Sequence, residues 1–208
     1  MKGKIFGLLA AGLLAGPMTA SAIAIVDTGQ PTNTEYIASA GSRAGQFSVG
    51  SAFEIDSIQS FIRVVTAGNV TASIFADASG LPGATLFSTV IAFASPGGEE
   101  WRGVSGLNWA LPAGTYWVAL ENRNVAMPAT VNWDFCSALG QPDPVCLLPN
   151  ELPKEASFFN GAWEERFART GWRVNGTLSD VPVPEPGTLA LLGLGLAGVG
   201  LSRRRKAA

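Results

Sequence analysis

Short apolar runs separated by turn residues fill the middle of the chain, and this pattern restricts the fold more than any other feature. Between residues 23 and 179 we find no convincing amphipathic helix, and apolar stretches alternate instead with Gly, Pro, Asn and Asp. The predicted strands are residues 46–49, 53–65, 70–76, 85–94, 100–109, 115–121, 130–135 and 171–178. Many short strands with regular turn signals predict an all-β fold, an antiparallel β-sandwich of the jelly-roll type.

The N-terminus differs from this middle and has the composition of a signal peptide. Two lysines precede an apolar run over residues 5–15, and small residues follow at 20–22. A positive start, a short apolar run and a small-x-small site are typical of cleavable export signals. An uncleaved anchor helix is the alternative, but the run is short for a membrane span of about 20 residues. We therefore expect a signal peptide over residues 1–22 and a mature chain that begins at Ile23.

The C-terminus has a second apolar segment, between a proline-rich linker and a basic cluster. Three prolines within residues 181–186 favour an extended linker. The uncharged run over residues 187–201 would be about 22 Å long as a helix, which is short for a bilayer core of about 30 Å. The basic cluster at residues 203–206 should remain cytoplasmic, which leaves the body on the far side of the membrane. We predict a β-sandwich domain over residues 23–180 and a tail over residues 181–208 with a single, marginal transmembrane helix.

The tail carries three parts in a fixed order: an acidic residue between two prolines, a short apolar segment and an arginine cluster. The first part is formed by Pro184, Glu185 and Pro186, and the third by Arg203, Arg204 and Arg205. This arrangement resembles the PEP-CTERM sorting signal of Gram-negative bacteria. The resemblance implies recognition by an exosortase, a membrane-embedded cysteine protease-transferase, and removal of the tail near the Pro-Glu-Pro motif. Proteins with this signal are typically associated with exopolysaccharide and biofilm production.

The same resemblance implies where the protein travels. The chain would be exported across the inner membrane and held there transiently by the helix over residues 187–201. It would then pass to the cell surface or the extracellular matrix. The alternative is an ordinary single-span anchor, in which the Pro-Glu-Pro motif has no role.

The body has a second resemblance, carried by strand and turn segments. Residues 73–77 and 80–83, then 111–120, and finally 172–176 are similar to the recurring pattern of exported bacterial jelly-roll domains, including the choice-of-anchor modules. These domains have interchangeable C-terminal anchors and no common activity. The resemblance therefore implies a fold and an exported location, but no reaction.

Charge and composition exclude several classes of function. Between residues 23 and 183 there are eight basic and fifteen acidic residues, a net charge of −7, which argues against nucleic acid as a partner. The chain has no histidine, which excludes a Ser-His-Asp triad and histidine zinc sites. Asp77 begins a segment with calcium-type oxygen ligands, but the repeating Asp series is missing, so an Asx turn is favoured. We expect no metal and no cofactor.

The two cysteines, Cys136 and Cys146, favour a disulfide, because an even count in an exported chain is typical of structural cross-links. The segment between them contains a glycine and two prolines, which indicates a loop that a cross-link would hold. A metal or redox site is the alternative, but it lacks both histidine and Cys-x-x-Cys spacing.

Tryptophan is the residue type most open to a functional interpretation, and all six lie in the body. Trp101, Trp133 and Trp163 have polar neighbours and are our candidates for stacking on sugar rings. Trp109 and Trp117 lie in strand-like runs and are expected in the core, where indoles commonly pack. Trp163 follows a turn-like stretch, so both a core and a binding role are open for it.

We assign no catalytic residue and expect a non-enzymatic, exported, exosortase-processed protein associated with exopolysaccharide, with carbohydrate as a candidate ligand. One alternative is a carbohydrate hydrolase that uses two carboxylates. Its candidate residues are Glu99, Glu100, Glu121, Asp134, Glu164 and Glu165. The other alternative is an adhesin-like module that binds protein instead of sugar.

Overall fold

The structure is a computed structural model, and it describes residues 22–31, 35–38, 41–94, 96–136, 148, 150, 152–166, 169–179 and 193. In that part of the chain the regular structure consists almost entirely of strands. They are β1 (Ile23–Asp27), β2 (Glu35–Ala38), β3 (Ser42–Val49), β4 (Phe53–Thr66), β5 (Gly68–Asp77), β6 (Pro82–Phe93), β7 (Glu99–Val104), β8 (Trp109–Leu111), β9 (Gly114–Glu121), β10 (Thr130–Cys136), β11 (Glu155–Phe159), β12 (Ala162–Arg166), β13 (Arg169–Thr170) and β14 (Trp172–Leu178).

The strands form two sheets, and the chain crosses repeatedly between them. The first sheet has eight strands in the order β1-β14-β4-β10-β13, with β2 on β10 and with β7 and β8 on β4. The second has six strands in the order β12-β11-β3-β9-β5-β6. Every ladder between these strands is antiparallel. The predicted all-β, antiparallel sandwich is confirmed.

The longest strand, β4, organises the eight-stranded sheet. It pairs with β14 and β10 and also with β7 and β8. The sequence predicts a single strand over residues 100–109, whereas the structure has two. They are separated by a bend in which Gly106 and Asn108 have φ of 75° and 58°. Left-handed backbone cannot continue a strand, and glycine and asparagine adopt it most readily.

The main core lies between the sheets, because side chains on a strand alternate between its two faces. In β4 the inward positions Ile55, Ile58 and Ile62 are fully buried. Val118 and Leu120 of β9 face them from the six-stranded sheet and belong to the same apolar cluster. Each fully buried aliphatic side chain contributes roughly 1.5–3 kcal/mol, so this layer supplies most of the stability.

The first and last strands of the body are neighbours. Ile23 of β1 pairs with Gly176 of β14, so the predicted signal-cleavage site lies beside the strand that leads into the tail. Apart from Ala22 and Gly193, the predicted signal peptide and the predicted helix over 187–201 lie outside the described residues. None of the helical residues that are described forms a stretch long and apolar enough to cross a membrane.

Candidate functional site

The six-stranded sheet carries a second, smaller cluster on the face turned away from the main core. Strand β9 shows this most clearly, because its residues 116–121 are buried on both faces. Val118 and Leu120 point into the main core, while Trp117 and Ala119 belong to the separate cluster. We call the face that carries Trp117 the outer face.

This outer face is concave. The ring of Trp163 in β12 contacts that of Phe75 in β5 edge to face, with 5.8 Å between the centroids. These strands are four positions apart in the sheet, so a flat sheet would hold them about 19 Å apart at ~4.8 Å per strand. The sheet must therefore curl, with its edge hairpin β11–β12 folded toward β5. Small side chains such as Ala44 and Ala156 line the bottom of the curve.

An aromatic and cationic surface forms the rim of this concavity, and we call Phe158, Trp163 and Arg123 the aromatic shelf. The Phe158 and Trp163 rings meet edge to face at 5.4 Å. The guanidinium carbon of Arg123 lies 3.8 Å from the Phe158 centroid and 5.5 Å from that of Trp163. All three residues are partly exposed. The shelf thus combines apolar ring surface with fixed N–H donors.

A buried carboxylate orients the arginine of the shelf. Arg123 donates from Nε to Oε2 of Glu121 at 2.5 Å, and its Nη2 lies equally close to the same oxygen. The Glu121 side chain is only 7% exposed, and Ser73 donates to its other oxygen at 2.8 Å. Because an uncompensated carboxylate is costly to bury, Glu121 strongly favours an arginine in this position.

A second carboxylate, Asp77, stabilises the opposite end of the concavity. Its Oδ1 accepts hydrogen bonds from the Trp117 indole and the Gln46 amide, both at 2.8 Å. Its Oδ2 accepts the backbone N–H of Gly80 at 3.1 Å, which confirms the predicted turn. The hydrogen bond from Trp117 is the largest cause that lowers the pKa of Asp77, because hydrogen bonds to a carboxylate favour its charged form.

The hairpin that carries Phe158 and Trp163 is absent from the strands predicted by sequence. Its turn is Asn160-Gly161, and both residues have positive φ, 49° and 86°. That is the type I′ hairpin turn, for which Asn-Gly is the strongest short-range sequence signal. From the Asn160-Gly161 dipeptide, which lies between the Phe-Phe and Ala-Trp pairs, β11 and β12 could therefore have been predicted. The roles of Phe158 and Arg123 depend on this hairpin and have no comparable signal.

The structure does not bring the three candidate sugar-stacking tryptophans together. Trp133 is 1% exposed and packs against Trp172 between the sheets, with ring centroids 6.0 Å apart. Its indole N–H donates to the Gly41 carbonyl at 3.3 Å. Neither ring face is open to a ligand, so the expectation for Trp133 is wrong. The polar neighbour Asn132 does not indicate exposure of Trp133, because successive side chains on a strand point to opposite faces.

Trp101 lies on the other side of the sandwich from Trp163. It pairs with Phe61 across β7 and β4 and meets that ring edge to face at 5.5 Å. The guanidinium of Arg173 lies 3.9 Å from the Trp101 centroid, and Asp27 pairs with Arg173 at 3.2 Å. Arg173 thus covers one face of the Trp101 ring, whereas Arg123 stacks on Phe158 and lies farther from the Trp163 ring, at 5.5 Å, so Trp101 is a weaker candidate than Trp163.

The two tryptophans expected in the core pack as apolar anchors. Trp117 is fully buried, as predicted. Trp109 is partly buried against the main core and stacks on Phe87 at 5.4 Å, with 12° between the ring planes.

Four of the six candidate catalytic carboxylates pair with cations. Glu100 pairs with Arg102, Glu121 with Arg123, Glu164 with Arg166 and Glu165 with Lys154. The side chain of Asp134 lies outside the described residues. Within the described part of the chain, no three acidic or cysteine side chains converge as metal ligands. The predicted Cys136–Cys146 cross-link also lies outside, because neither cysteine side chain is described.

Comparison with known proteins identifies the tail. The PEP-CTERM protein-sorting motif matches residues 182–206. The chain therefore carries a PEP-CTERM signal, as predicted, and is an exported, exosortase-targeted protein of the surface or extracellular space. No curated protein matches the sequence.

The solved structures with a similar backbone include two of a clostridial surface protein. One contains the cysteine protease and lectin-like domains of Cwp84, a surface layer associated protein of Clostridium difficile. It has 14% identity and a TM-score of 0.46, over 66% of this chain and 32% of that one. The other is the clostridial cysteine protease Cwp84 after propeptide cleavage, with 15% identity and a TM-score of 0.47, over 71% and 40%. The chain spans less than half the length of either.

Proposed function

We propose that the protein is a non-enzymatic surface or matrix component that binds a carbohydrate segment of exopolysaccharide on its aromatic shelf. The observation that carries the proposal is the arrangement of Phe158, Trp163 and Arg123. Pyranose rings have an apolar C–H face and a rim of hydroxyls. An aromatic surface beside a fixed guanidinium matches both features, because ring faces take C–H groups and N–H groups bind hydroxyl oxygens.

The position of Arg123 supports this proposal. Its guanidinium stacks on Phe158 and is fixed by Glu121, so little side-chain entropy remains to be lost on binding. Ligand sites commonly combine an apolar surface with a few well-placed polar groups. A shelf at the rim of a concave face also suits a polymer, since a chain can enter and leave at both ends.

The ion pairs of the carboxylates support a role without catalysis. A glycosidase needs one carboxyl group with a raised pKa and a second that faces the sugar. Glu121 is buried, and its two oxygens already accept hydrogen bonds from Arg123 and Ser73. Glu164 and Glu165 pair with cations on an exposed strand. We therefore assign these groups to structure and solubility.

For the tail, we propose a temporary anchor that is read at Pro184, Glu185 and Pro186. Two prolines fix an extended backbone that an active site can bind at low entropic cost. Changing these three residues to alanine should leave a full-length precursor in the inner membrane and abolish the processed form. Immunoblots of membrane and medium fractions measure this. Normal trimming and normal release of the triple variant would instead show that the Pro-Glu-Pro motif is not what directs processing.

The carbohydrate proposal is tested by a glycan array, with exopolysaccharide from the producing strain included. Trp163→Ala should weaken binding about tenfold or more, the effect of losing ~1.4 kcal/mol from an aromatic contact. Arg123→Gln should do the same while leaving the rings in place. The matched control is Phe159→Ala, because Phe159 lies on the same hairpin, is 55% exposed and points to the opposite face.

Four outcomes distinguish the candidate functions. Binding that falls in Trp163→Ala and Arg123→Gln but not in Phe159→Ala supports the shelf. Equal binding by all variants would show that the glycan binds elsewhere on the body. Hydrolysis of a glycan by the wild type would favour the two-carboxylate alternative, and capture of a surface protein without any glycan would favour the adhesin.

A further inference from the structure

The two edges of the six-stranded sheet are built in opposite ways. One edge is β12, which has five residues, three of them charged: Glu164, Glu165 and Arg166. The other edge is β6, which has twelve residues and no charged one. Natural sheets protect exposed edges with short strands and charges, because an open edge pairs with other strands. The β12 edge has this protection, and the β6 edge lacks it.

The regular part of β6 is a seven-residue segment centred on Val90. From Phe93 back to Phe87, each residue of β6 faces one residue of β5. The register then shifts, with Phe87 opposite Ile74 and Thr85 opposite Phe75, so Leu86 is an extra residue. A bulge of this kind interrupts further pairing. Residues 87–93 are therefore the straight part of the edge.

An exposed apolar side chain marks the middle of this segment. Val90 is 60% exposed, and it lies on the outer face between Ser88 and Ala92, which are also exposed. Among the strands that the structure describes, only β5 pairs with β6. Backbone groups on the other side of β6 thus have no strand partner within the described chain.

We propose that β6 pairs with β6 of a second copy of this chain, antiparallel and with a two-fold axis at Val90. In this register Val90 faces Val90 of the partner subunit. Ser88 and Ala92 face each other across the two copies, as do Phe87 and Phe93. All seven residues from 87 to 93 then pair with the partner strand, and Val90, the most exposed apolar side chain of the strand, packs against its own copy.

The chemistry of the strand favours a second copy over an unrelated partner. Antiparallel self-pairing places the residue on the two-fold axis opposite its own copy, so a charge near the axis would lie close to a like charge, and β6 has no charged residue. The side chains along the outer face are small or apolar and fit each other without a matching pocket. Two-fold pairing is also a closed arrangement that leaves no new open edge at the contact.

The pairing joins two six-stranded sheets into one continuous sheet of twelve strands. Cross-strand neighbours point to the same face, so the outer faces of both copies lie on the same side. A contact of seven residues per copy is small, and interfaces of this size are typical of weak, transient association. Covalent trapping is therefore a sharper test than molecular mass alone.

The experiment uses the full chain, exported by the producing cell, and disulfide trapping on β6. Val90→Cys should form a disulfide-linked dimer, because directly opposite residues in an antiparallel pair have Cα atoms about 4.5–5.5 Å apart, within disulfide range. Ser88→Cys is the matched control, since Ser88 is on the same face and is also exposed. In the proposed register, Ser88 of the partner subunit lies four residues away along the strand, at a distance of about 13 Å.

A double variant tests the register itself. Ser88→Cys combined with Ala92→Cys should restore the dimer, because those two positions face each other across the axis. Non-reducing electrophoresis with mass spectrometry of the band measures the products, and the wild type sets the background from Cys136 and Cys146. We expect at least a tenfold higher dimer yield for Val90→Cys than for Ser88→Cys. Equal yields, or a band that contains another protein, would overturn the proposal.

Discussion

The space between the two sheets and the outer face of the six-stranded sheet each hold a cluster of buried side chains, but different forces hold the two clusters. Between the sheets, the contacts of Ile62, Val118 and Leu120 are apolar and depend on volume. On the outer face, Trp117 and Phe75 pack beside Asp77 and Glu121, whose hydrogen bonds fix the geometry. The first region stabilises the fold, and the second positions a surface. Substitutions in the two regions should therefore differ in what they change.

The largest effect is expected in the space between the sheets. Trp133→Ala should lower the free energy of unfolding by about 3–5 kcal/mol, the usual cost of removing a buried tryptophan. Denaturant unfolding of the exported protein measures this value. Carbohydrate binding per folded molecule should change much less than in Trp163→Ala, because Trp133 belongs to the core between the sheets and contributes no atom to the shelf. A selective loss of binding without loss of stability would contradict the assignment of Trp133 to the core.

A smaller effect, of electrostatic origin, is expected on the outer face. Arg123→Ala removes the cation from Glu121, whose side chain is 7% exposed, and should lower the free energy of unfolding by about 2 kcal/mol. Adding Glu121→Gln should recover most of this loss, because the buried charge is then gone. A double-mutant cycle measures the coupling. Additive effects of the two changes would show that the pair is not what fixes Arg123.

The smallest effect concerns Asp77 and depends on pH. Asp77→Asn should lower the free energy of unfolding by about 1 kcal/mol at neutral pH, because hydrogen bonds to a charged acceptor become neutral ones. The pKa of Asp77 is lowered in the folded protein, so the folded state binds the proton less readily than the unfolded chain does. The contribution is therefore present above the unfolded pKa of about 3.9 and is lost as the pH falls through the folded pKa.

Urea midpoints of wild type and Asp77→Asn, compared at neutral and strongly acidic pH, measure this dependence. The two proteins should differ at neutral pH and converge in acid. The matched control is Asp56→Asn, which changes an exposed carboxylate in the other sheet and should leave the difference near zero throughout. If the difference in urea midpoint between wild type and Asp77→Asn increased in acid, the predicted direction of the pH dependence would be wrong.

The two regions also differ in how well the sequence predicts them. Runs such as 53–65 and 115–121 are dense in β-branched and aromatic residues, and they became β4 and β9 almost to the residue. Their inward positions follow from alternation, except that a bulge in β4 brings both Ile55 and Ile58 to the inward face. The aromatic shelf does not, because it needs the curl of the sheet that brings Trp163 to Phe75. Contacts across four strands depend on tertiary packing, which local propensity does not encode.

Trp133 and Trp163 also show that neighbouring residues in the sequence do not predict whether a side chain is buried. Both have polar neighbours along the chain, yet Trp133 is a core residue and Trp163 is partly exposed. On a strand, the flanking residues describe the opposite face and say nothing about the side chain between them. A local turn signal, by contrast, is reliable, and Asn160-Gly161 would have placed Trp163 on a hairpin.

The central claim is that carbohydrate binds on the outer face at the aromatic shelf. Hydroxyl-radical footprinting of the exported protein, with and without saturating exopolysaccharide fragments, tests it without any substitution. We predict that oxidation of Trp163 and Phe158 falls on binding, while oxidation of Trp101 and Phe159 stays the same. Unchanged oxidation of Trp163 in a saturated complex, or protection of Trp101 in its place, would contradict it.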